Sequence, residues 1–418
     1  MDLGVTDKVK PLIDKVRQMV SDDIEPLDQE FHEEVGKHPS GSRWKFTERQ
    51  MEILTHLKSL AKERGLWNFW LTDSEKGYGL STVEYAYLAE EMGKVGIAAE
   101  VFNCSAPDTG NMEVIERYGN ENHKKKWLSK LLEGEIRSAY LMTEPDVASS
   151  DATNISLQAK KDGDHWVLNG QKWWSSGVGD PRCKVFIVMA LTDPDAAKHS
   201  RHSMFFVDAD SEGFEVLRYM NVFGADDAPH GHGHCKFTNV KVPAENLILG
   251  EGRGFEVSQG RLGPGRIHHC MRTIGDMERA LEFMIKRSEE RVAFGKKIST
   301  LGANYDYIAE SRIDIETSRL LTLNAAHMMD TVGNKVARSE IAQIKVHVPI
   351  VACRLIDRAI QMHGGGGVSQ DFPLASMYAH MRTLRLADGP DEVHRRVIAR
   401  EELSKYADQS EETIVTRD

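Results

Sequence analysis

One carboxylate stands where a helical pattern stops. Asp388 lies in Leu386-Ala387-Asp388-Gly389-Pro390-Asp391-Glu392-Val393-His394. Gly389-Pro390 is a break signal, so Asp388 sits at an element's end. A carboxylate there can face a cavity, be desolvated and serve as a base near neutral pH. The plainer alternative is an N-cap, the commoner local use of an Asp ahead of a Pro at a first helical position.

Four other stretches have residue types suited to a ligand. Tyr140-Leu141-Met142-Thr143-Glu144-Pro145 runs into Ala148-Ser149-Ser150-Asp151. This reads as a strand end followed by a turn, which offers backbone N–H groups and hydroxyls or is a plain loop. Lys172-Trp173-Trp174-Ser175-Ser176-Gly177 suits a flat aromatic cofactor, one ring packing and one hydroxyl bonding its edge. It suits a core Trp pair equally, and strand alternation puts at most one of the two rings on the ligand side. Arg291-Val292-Ala293-Phe294-Gly295-Lys296 closes a long helix. The macrodipole favours an Arg there, and its fork also fits a pyrophosphate. Gln361-Met362-His363 is followed by Gly364-Gly365-Gly366-Gly367. That is more glycine than a C-cap needs, which suggests close backbone approach to a phosphate or dinucleotide. It is not a G-x-G-x-x-G turn after a strand, so no Rossmann site is indicated.

The elements that must position these residues change period twice. Residues 1–135 read as helices. Val9, Leu12/Ile13, Val16 and Met19/Val20 repeat at helical spacing, and Thr47-x-x-Gln50 and Ser81-x-x-Glu84 are capping boxes. Residues 136–250 read as strands: Ile155–Lys161 and His165–Asn169 around an Asp162-Gly163 turn, a second turn at Asn169-Gly170, then Lys184–Leu191, Ser203–Val207, Phe214–Leu217 and His234–Val242. From Arg266 the helical period returns and holds over 251–418. One stripe is Ile267, Met271, Ile274, Met277, Leu281 and Met284/Ile285. A second is Ile313, Leu320, Leu323 and Met328, and a third is Ile341, Ile344, Val348, Val351, Leu355 and Ala359. The expectation is an α+β multidomain chain: an N-terminal helical domain, a middle β-barrel-like domain and a C-terminal helix bundle.

Composition excludes several classes. The 418 residues are 40% hydrophobic and 28% charged, with a net charge of −11. This charge disfavours nucleic acid and anionic membrane as partners. The longest clean apolar run, Val185–Leu191, is too short to span a bilayer. No signal-peptide core opens the chain, so a cytoplasmic location is expected. The five cysteines are scattered with no C-x-x-C spacing, so neither a disulfide framework nor a zinc site is expected. His230, His232 and His234 alternate and would share one strand face; polar contacts are the simpler use, and no metal is expected.

Taken in order, these motifs resemble the acyl-CoA dehydrogenase family of flavoproteins over essentially the whole chain. Tyr118-Gly119, Trp127-Leu128, Leu131 and Gly134-Glu135 look like its N-terminal signature, and Thr143-Glu144-Pro145 like its next motif. Glu290–Lys296 is similar to its E-R-x-x-F-G-K and Gln361–Gly367 to its Q-x-x-G-G-x-G. The resemblance implies a C-terminal four-helix bundle and a homo-oligomer, a dimer or dimer of dimers. It implies FAD as cofactor, an acyl-CoA substrate in fatty acid β-oxidation, and an electron-transferring flavoprotein as acceptor. By position it assigns Tyr140, Met142, Thr143, Trp174, Ser175 and Ser176 to the flavin ring, with Ser176 at its N5 edge. Arg291, Phe294, Gln361, Gly364 and Gly365 fall to the pyrophosphate and adenine, partly across a subunit interface. Ser149 or Ser150, Arg266 and Gly389 fall to the acyl-CoA.

Asp388 then matches the family's catalytic Glu. Some members place the base just before the Arg matching Arg266; here that residue is Gly265, which takes no proton, so the resemblance implies Asp388 as the base, or a chain that is not a dehydrogenase. Asp is one methylene shorter, a loss of about 1.5 Å of reach. Ala387 replaces the usual Tyr, Pro390 replaces a Thr, and Gly302 stands near a usual FAD-contacting Gln. The Asp-Gly-Pro-Asp-Glu-Val form, with Gly263-Pro264-Gly265-Arg266-Ile267-His268-His269, looks most like a subgroup found elsewhere fused to a kinase-like domain. That subgroup is associated with 4-hydroxy or 4-phosphoryloxy acyl-CoAs. The alternatives are a flavin oxidase on the same fold, nitroalkane-oxidase-like, and a non-catalytic scaffold.

Overall fold

A computed structural model describes residues 2–71 and 77–415, with side chains described as far as Tyr406. The first helices are α1 Lys10–Met19, α2 Glu25–Glu33, α3 Glu48–Glu63, α4 Thr82–Gly93, α5 Ala98–Val101, α6 Asp108–Tyr118, α7 Glu121–His123 and α8 Ser129–Leu132. The strands β1 Arg137–Leu141, β2 Gln158–Asp162, β3 His165–Ser176 and β4 Cys183–Leu191 follow, then β5 His202–Asp208, β6 Phe214–Tyr219, β7 His232–Pro243 and β8 Leu247–Ile248. The long helix α9 Gly254–Glu290 and a hairpin of β9 Val292–Ala293 and β10 Lys296–Lys297 come next. The chain closes with α10 Asn304–Val332, α11 Arg338–His363, α12 Leu374–Leu384 and α13 Asp391–Val415.

Two compact units result, one of Ser21–Trp70 and Ala99–Gly265, the other of Met1–Val20, Leu71–Ala98 and Arg266–Asp418. The first contains an eight-stranded sheet ordered β6-β7-β3-β2-β4-β5-β8, with β1 added parallel to β4. Strand β4 is buried along nearly its whole length, as a near-continuous apolar run requires, whereas β7 alternates. Its core is built from Leu141, Trp166, Leu168, Phe186, Phe205 and Phe237. The Thr47–Gln50 capping box is present: each residue's side chain bonds the other's backbone N–H, at 3.1 Å both ways.

In the second unit the Ser81–Glu84 box starts α4 as expected. Helices α4 and α9 touch backbone to backbone: a Cβ on Gly93 would lie 2.0 Å from the Arg272 carbonyl, and one on Gly275 2.0 Å from that of Glu90. Only glycine fits such a crossing. The expected stripes of α9, Ile267 to Met284, and α11, Ile341 to Ala359, are buried.

Three expectations need correction. Asn169-Gly170 is not a turn: β3 runs through it, and a bulge at Gly170 (φ +142°) absorbs the irregularity. The turn between β2 and β3 is Gly163-Asp164, one residue later than expected. On α10, Ile313 and Leu320 face outward; the buried side holds Ser311, Asp314, Ile315, Ser318, Thr322 and Leu323. Small and hydrogen-bonded polar residues supply the inner face there, so apolar spacing pointed the wrong way. Helix α9 runs through Gly263-Pro264-Gly265, and Val257, Leu262 and Ile267 around them are buried. Packing outweighs the loss of one ladder bond at Pro264.

Candidate active site

Helix α12 ends at Leu384 and α13 begins at Asp391. Between them Asp388 takes φ +53° and Gly389 φ +101°, a left-handed bend that Asp tolerates better than most residues. The N-cap alternative therefore fails, since Asp388 belongs to the bend ahead of the helix. The bend is pinned through its own carbonyls. Arg266 Nε donates to the Asp388 carbonyl at 3.0 Å, and His394 Nε2 donates to the same oxygen at 3.3 Å. Lys345, buried on α11, donates through Nζ to the carbonyls of Leu384 and Gly389. Arg385 Nε reaches Asp391 Oδ2 at 2.9 Å and closes the loop.

The Asp388 side chain is 16% exposed, and its Oδ2 lies 3.6 Å from His269 Nε2. Burial pushes His269 down to about 3, although Asp388 pulls the other way, so the imidazole is neutral and the contact is not an ion pair. Burial likewise lowers His268, packed on the Tyr85 ring, to about 3, and His394 to about 4. The Lys345 ammonium is held below its usual range by burial, with Asp388 opposing.

These three imidazoles stay neutral in the fold while the unfolded chain takes up protons near pH 6.5, so stability must fall as pH drops through 6.5 towards about 4. Paired carboxylates add their own loss only below about pH 4.5. A melting temperature that declines between pH 6.5 and 5 is expected. One that stays flat there would contradict the burial of uncharged histidines.

In the sheet unit, a second cluster forms where β1 ends beside β3. The Trp173 N–H donates to the Thr143 carbonyl at 2.9 Å. Lys172 Nζ donates to the Met142 carbonyl and to Glu144 Oε1, both at 2.8 Å. Both charged side chains are buried, at 0% and 2% exposure. Glu144 also accepts from the N–H groups of Ser156 and Leu157 at 2.7 and 2.9 Å. Thr143 is thereby held next to the tryptophans. Tyr140 stands behind them, its hydroxyl donating to Ser258 Oγ at 3.2 Å under the Arg261 guanidinium.

Strict alternation does not apply to Trp173 and Trp174. The β3–β7 register breaks between Lys172 and Ser175, and Trp174 takes φ +51°. Trp174 is 39% exposed, Ser175 is buried, and Ser176 Oγ lies 2.8 Å from His232 Nδ1. The buried Trp173 indole N–H has no hydrogen-bond partner among the described residues. Of the two candidate serines, Ser149 accepts the Glu144 N–H at 2.8 Å and holds the turn itself, while Ser150 is exposed.

The third group lies in the helical unit. Arg291 and Phe294 sit on the β9–β10 hairpin, Phe294 97% exposed at φ +53°. Gln361, Gly364 and Gly365 are exposed where α11 ends. Each glycine can be questioned separately. Gly364 needs its φ of +62°, a Cβ on Gly366 would press on Phe372, and one on Gly367 would meet the Ile360 carbonyl at 2.5 Å. Gly365 has neither constraint; a Cβ there meets nothing among the described residues within 4 Å. The chain's own packing does not call for glycine there, which fits a group from outside approaching that backbone. Arg287, one turn before Arg291, lies 5.5 Å from the Phe372 ring centre, linking the end of α9 to this turn.

The three alternating histidines do not converge. His230 Nδ1 meets Asp180 at 3.0 Å, His232 meets Ser176, and His234 Nε2 meets Gln171 Oε1 at 2.7 Å. Among the described residues no group of His, Cys, Asp or Glu is arranged to hold a metal. Sequence reasoning missed Lys345, Lys172 and the His269–Asp388 contact. Lys345 had a signal: it falls inside the α11 apolar stripe, between Ile344 and Val348, where a cation is buried only with partners.

Comparison with known proteins defines the class. Family models match residues 6–135 as acyl-CoA dehydrogenase N-terminal domain, 139–240 as middle domain and 252–403 as C-terminal domain. The chain belongs to the acyl-CoA dehydrogenase family. It is 51% identical to rat acyl-CoA dehydrogenase family member 11 over 95% of this chain and 51% of that protein. It is 52% identical to the probable acyl-CoA dehydrogenase FadE2 of Mycobacterium tuberculosis, over 84% of this chain and 86% of that one. A solved Mycobacterium abscessus structure assigned to the acyl-CoA dehydrogenases is 50% identical, with TM-score 0.92, covering 96% of this chain and all of that one. The chain thus spans about half the length of the rat relative.

Proposed function

We propose that this protein is an FAD-dependent acyl-CoA dehydrogenase that converts an acyl-CoA thioester to the 2-enoyl-CoA, with Asp388 as the base. The observation that carries this reading is the Asp388 bend: a mostly covered carboxylate on a loop whose backbone is fixed by Arg266, His394 and Lys345. Asp388 removes the α-proton, and its backbone N–H bonds the thioester carbonyl, which carries charge as the proton leaves. Bound FAD supplies the acceptor for the hydride released from the β-carbon. Tyr140, Met142, Thr143, Trp174, Ser175 and Ser176 hold the flavin ring, and the Trp173 indole N–H, without a partner among the described residues, and the Thr143–Trp173 backbone bond support that assignment. Arg291, Phe294, Gln361, Gly364 and Gly365 hold the pyrophosphate and adenine, supported by the glycine at 365 that no packing explains. Ser150, Arg266 and Gly389 meet the acyl-CoA.

The active form we propose is a dimer or dimer of dimers. Phe294, Val292, Ile313 and Leu320 are large apolar side chains left exposed in the helical unit, as a subunit interface requires. Sedimentation is expected to show a dimer or tetramer, and a monomer at micromolar concentration would remove this part. The electron acceptor is an electron-transferring flavoprotein, and the location is cytoplasmic. No helix among the described residues is long and apolar enough to cross a membrane.

For the substrate we favour an acyl group with a 4-hydroxy or 4-phosphoryloxy substituent, supported by the short Asp base and the small Ala387 beside it. Anaerobic flavin reduction across acyl-CoAs with and without a 4-substituent tests this. Faster reduction by the substituted thioesters is expected, and a preference for plain straight chains would remove it.

A further inference from the structure

We propose that His269 is a positioning residue for Asp388: it presents Nε2–H to the Oδ2 atom and sets the carboxylate's orientation, with Arg272 fixing the ring from the far side. This inference rests on the reading of Asp388 as the base.

The tautomer follows from geometry. Arg272 Nη2 lies 3.4 Å from His269 Nδ1. A guanidinium only donates, so Nδ1 must accept, and the single ring proton of a neutral imidazole sits on Nε2. Nε2 is the nitrogen 3.6 Å from Asp388 Oδ2. At that separation no hydrogen bond is made, but a side-chain shift of roughly 0.7 Å makes one. Such contacts commonly tighten when substrate expels water. The residue itself has little freedom, because Thr273 Oγ1 donates to the His269 carbonyl at 2.9 Å and the flanking His268 and Cys270 are buried.

The charges around the pair show why an imidazole suits this place. Asp388 is approached by Arg266 and His269 from α9, Lys345 from α11 and His394 from α13. His269 is faced by Arg272 on its own helix, Lys345 on α11, His380 on α12 and Asp388. Arg266 and Lys345 donate to backbone carbonyls of the bend. A full positive charge on Oδ2 would make Asp388 too weak a base. A neutral donor orients the oxygen and lowers its basicity far less.

The test compares His269→Leu, which removes the donor, with His269→Gln, which keeps an N–H, both as holoenzyme with measured FAD content. Anaerobic flavin reduction by saturating acyl-CoA is followed from pH 6 to 9. The Leu variant should lose about 10- to 100-fold in kcat with KM nearly unchanged. Its acid limb should move up by about one pH unit, because losing a donor to the charged form raises the base's pKa. The Gln variant should recover most of the rate. Wild-type rate and an unmoved acid limb in both variants would overturn the inference, as would equal impairment of both. If the Leu variant does not fold, His269→Asn, whose shorter amide cannot reach, replaces it with the same expectations. Asp388→Asn run alongside separates the two claims. If it still reduces flavin, the base assignment fails; if it is dead while the His269 variants behave as wild type, only the present inference fails.

Discussion

Replacing Asp388 with Asn leaves a folded protein that binds FAD and acyl-CoA but loses at least about 10³-fold in the rate at which the thioester bleaches the flavin. The change is nearly isosteric. The bend is held by Asp388's carbonyl, which Arg266 and His394 engage, and by the neighbouring carbonyls that Lys345 engages, so the side-chain change leaves the loop standing. What disappears is the oxygen that takes a proton. Residue 265, beside Arg266, is a glycine and takes no proton. Rate, FAD content and ligand affinity measured on one preparation check the prediction. Loss of all three together would instead indicate a collapsed loop.

Glu144→Gln is the second large effect, and it acts on stability and cofactor retention. The Lys172–Glu144 pair lies wholly inside the sheet unit, and burial already pushes Lys172 down to about 8. Removing the partner leaves an ammonium with no compensating charge, a loss of about 3–5 kcal/mol. The lesion is also local to the site. Glu144 ties the Thr143 turn to Ser156 and Leu157, and Lys172 ties Met142 to β3. Purified variant is therefore expected to have a lower urea midpoint and substoichiometric FAD. The double change Glu144→Leu with Lys172→Met should regain part of the stability, since a packed apolar pair leaves no buried charge. An unchanged midpoint for Glu144→Gln would show that the pair does not hold this turn.

Some of this was legible from residues alone. Both capping boxes, the strand run 184–191 and the α9 and α11 stripes follow from short-range rules that the fold obeys. The errors share one cause, tertiary packing over local signals. Asn169-Gly170 carries a hairpin signal yet lies in a strand held by partners on both sides, so it bulges. Ile313 and Leu320 mark an apolar stripe, but the buried side of α10 is lined by Ser311, Asp314 and Ser318. Arg354 and Arg358 compensate Asp314, and no spacing rule reports such a partner.

The candidate site was legible as a set of residue types and not as a geometry. Asp388 could be named, yet its left-handed backbone and its pinning by Arg266, His394 and Lys345 depend on residues scattered over three helices. What separates the two candidate serines also needed coordinates: Ser149 accepts the Glu144 N–H, and Ser150 is exposed.

Removal of a proton from the α-carbon by Asp388 is tested most directly by solvent exchange. The holoenzyme is incubated anaerobically in deuterium oxide with an acyl-CoA, and the recovered thioester is weighed by mass spectrometry. Wild type should place deuterium at the α-carbon, and Asp388→Asn should place none. Equal incorporation by both proteins would contradict the account.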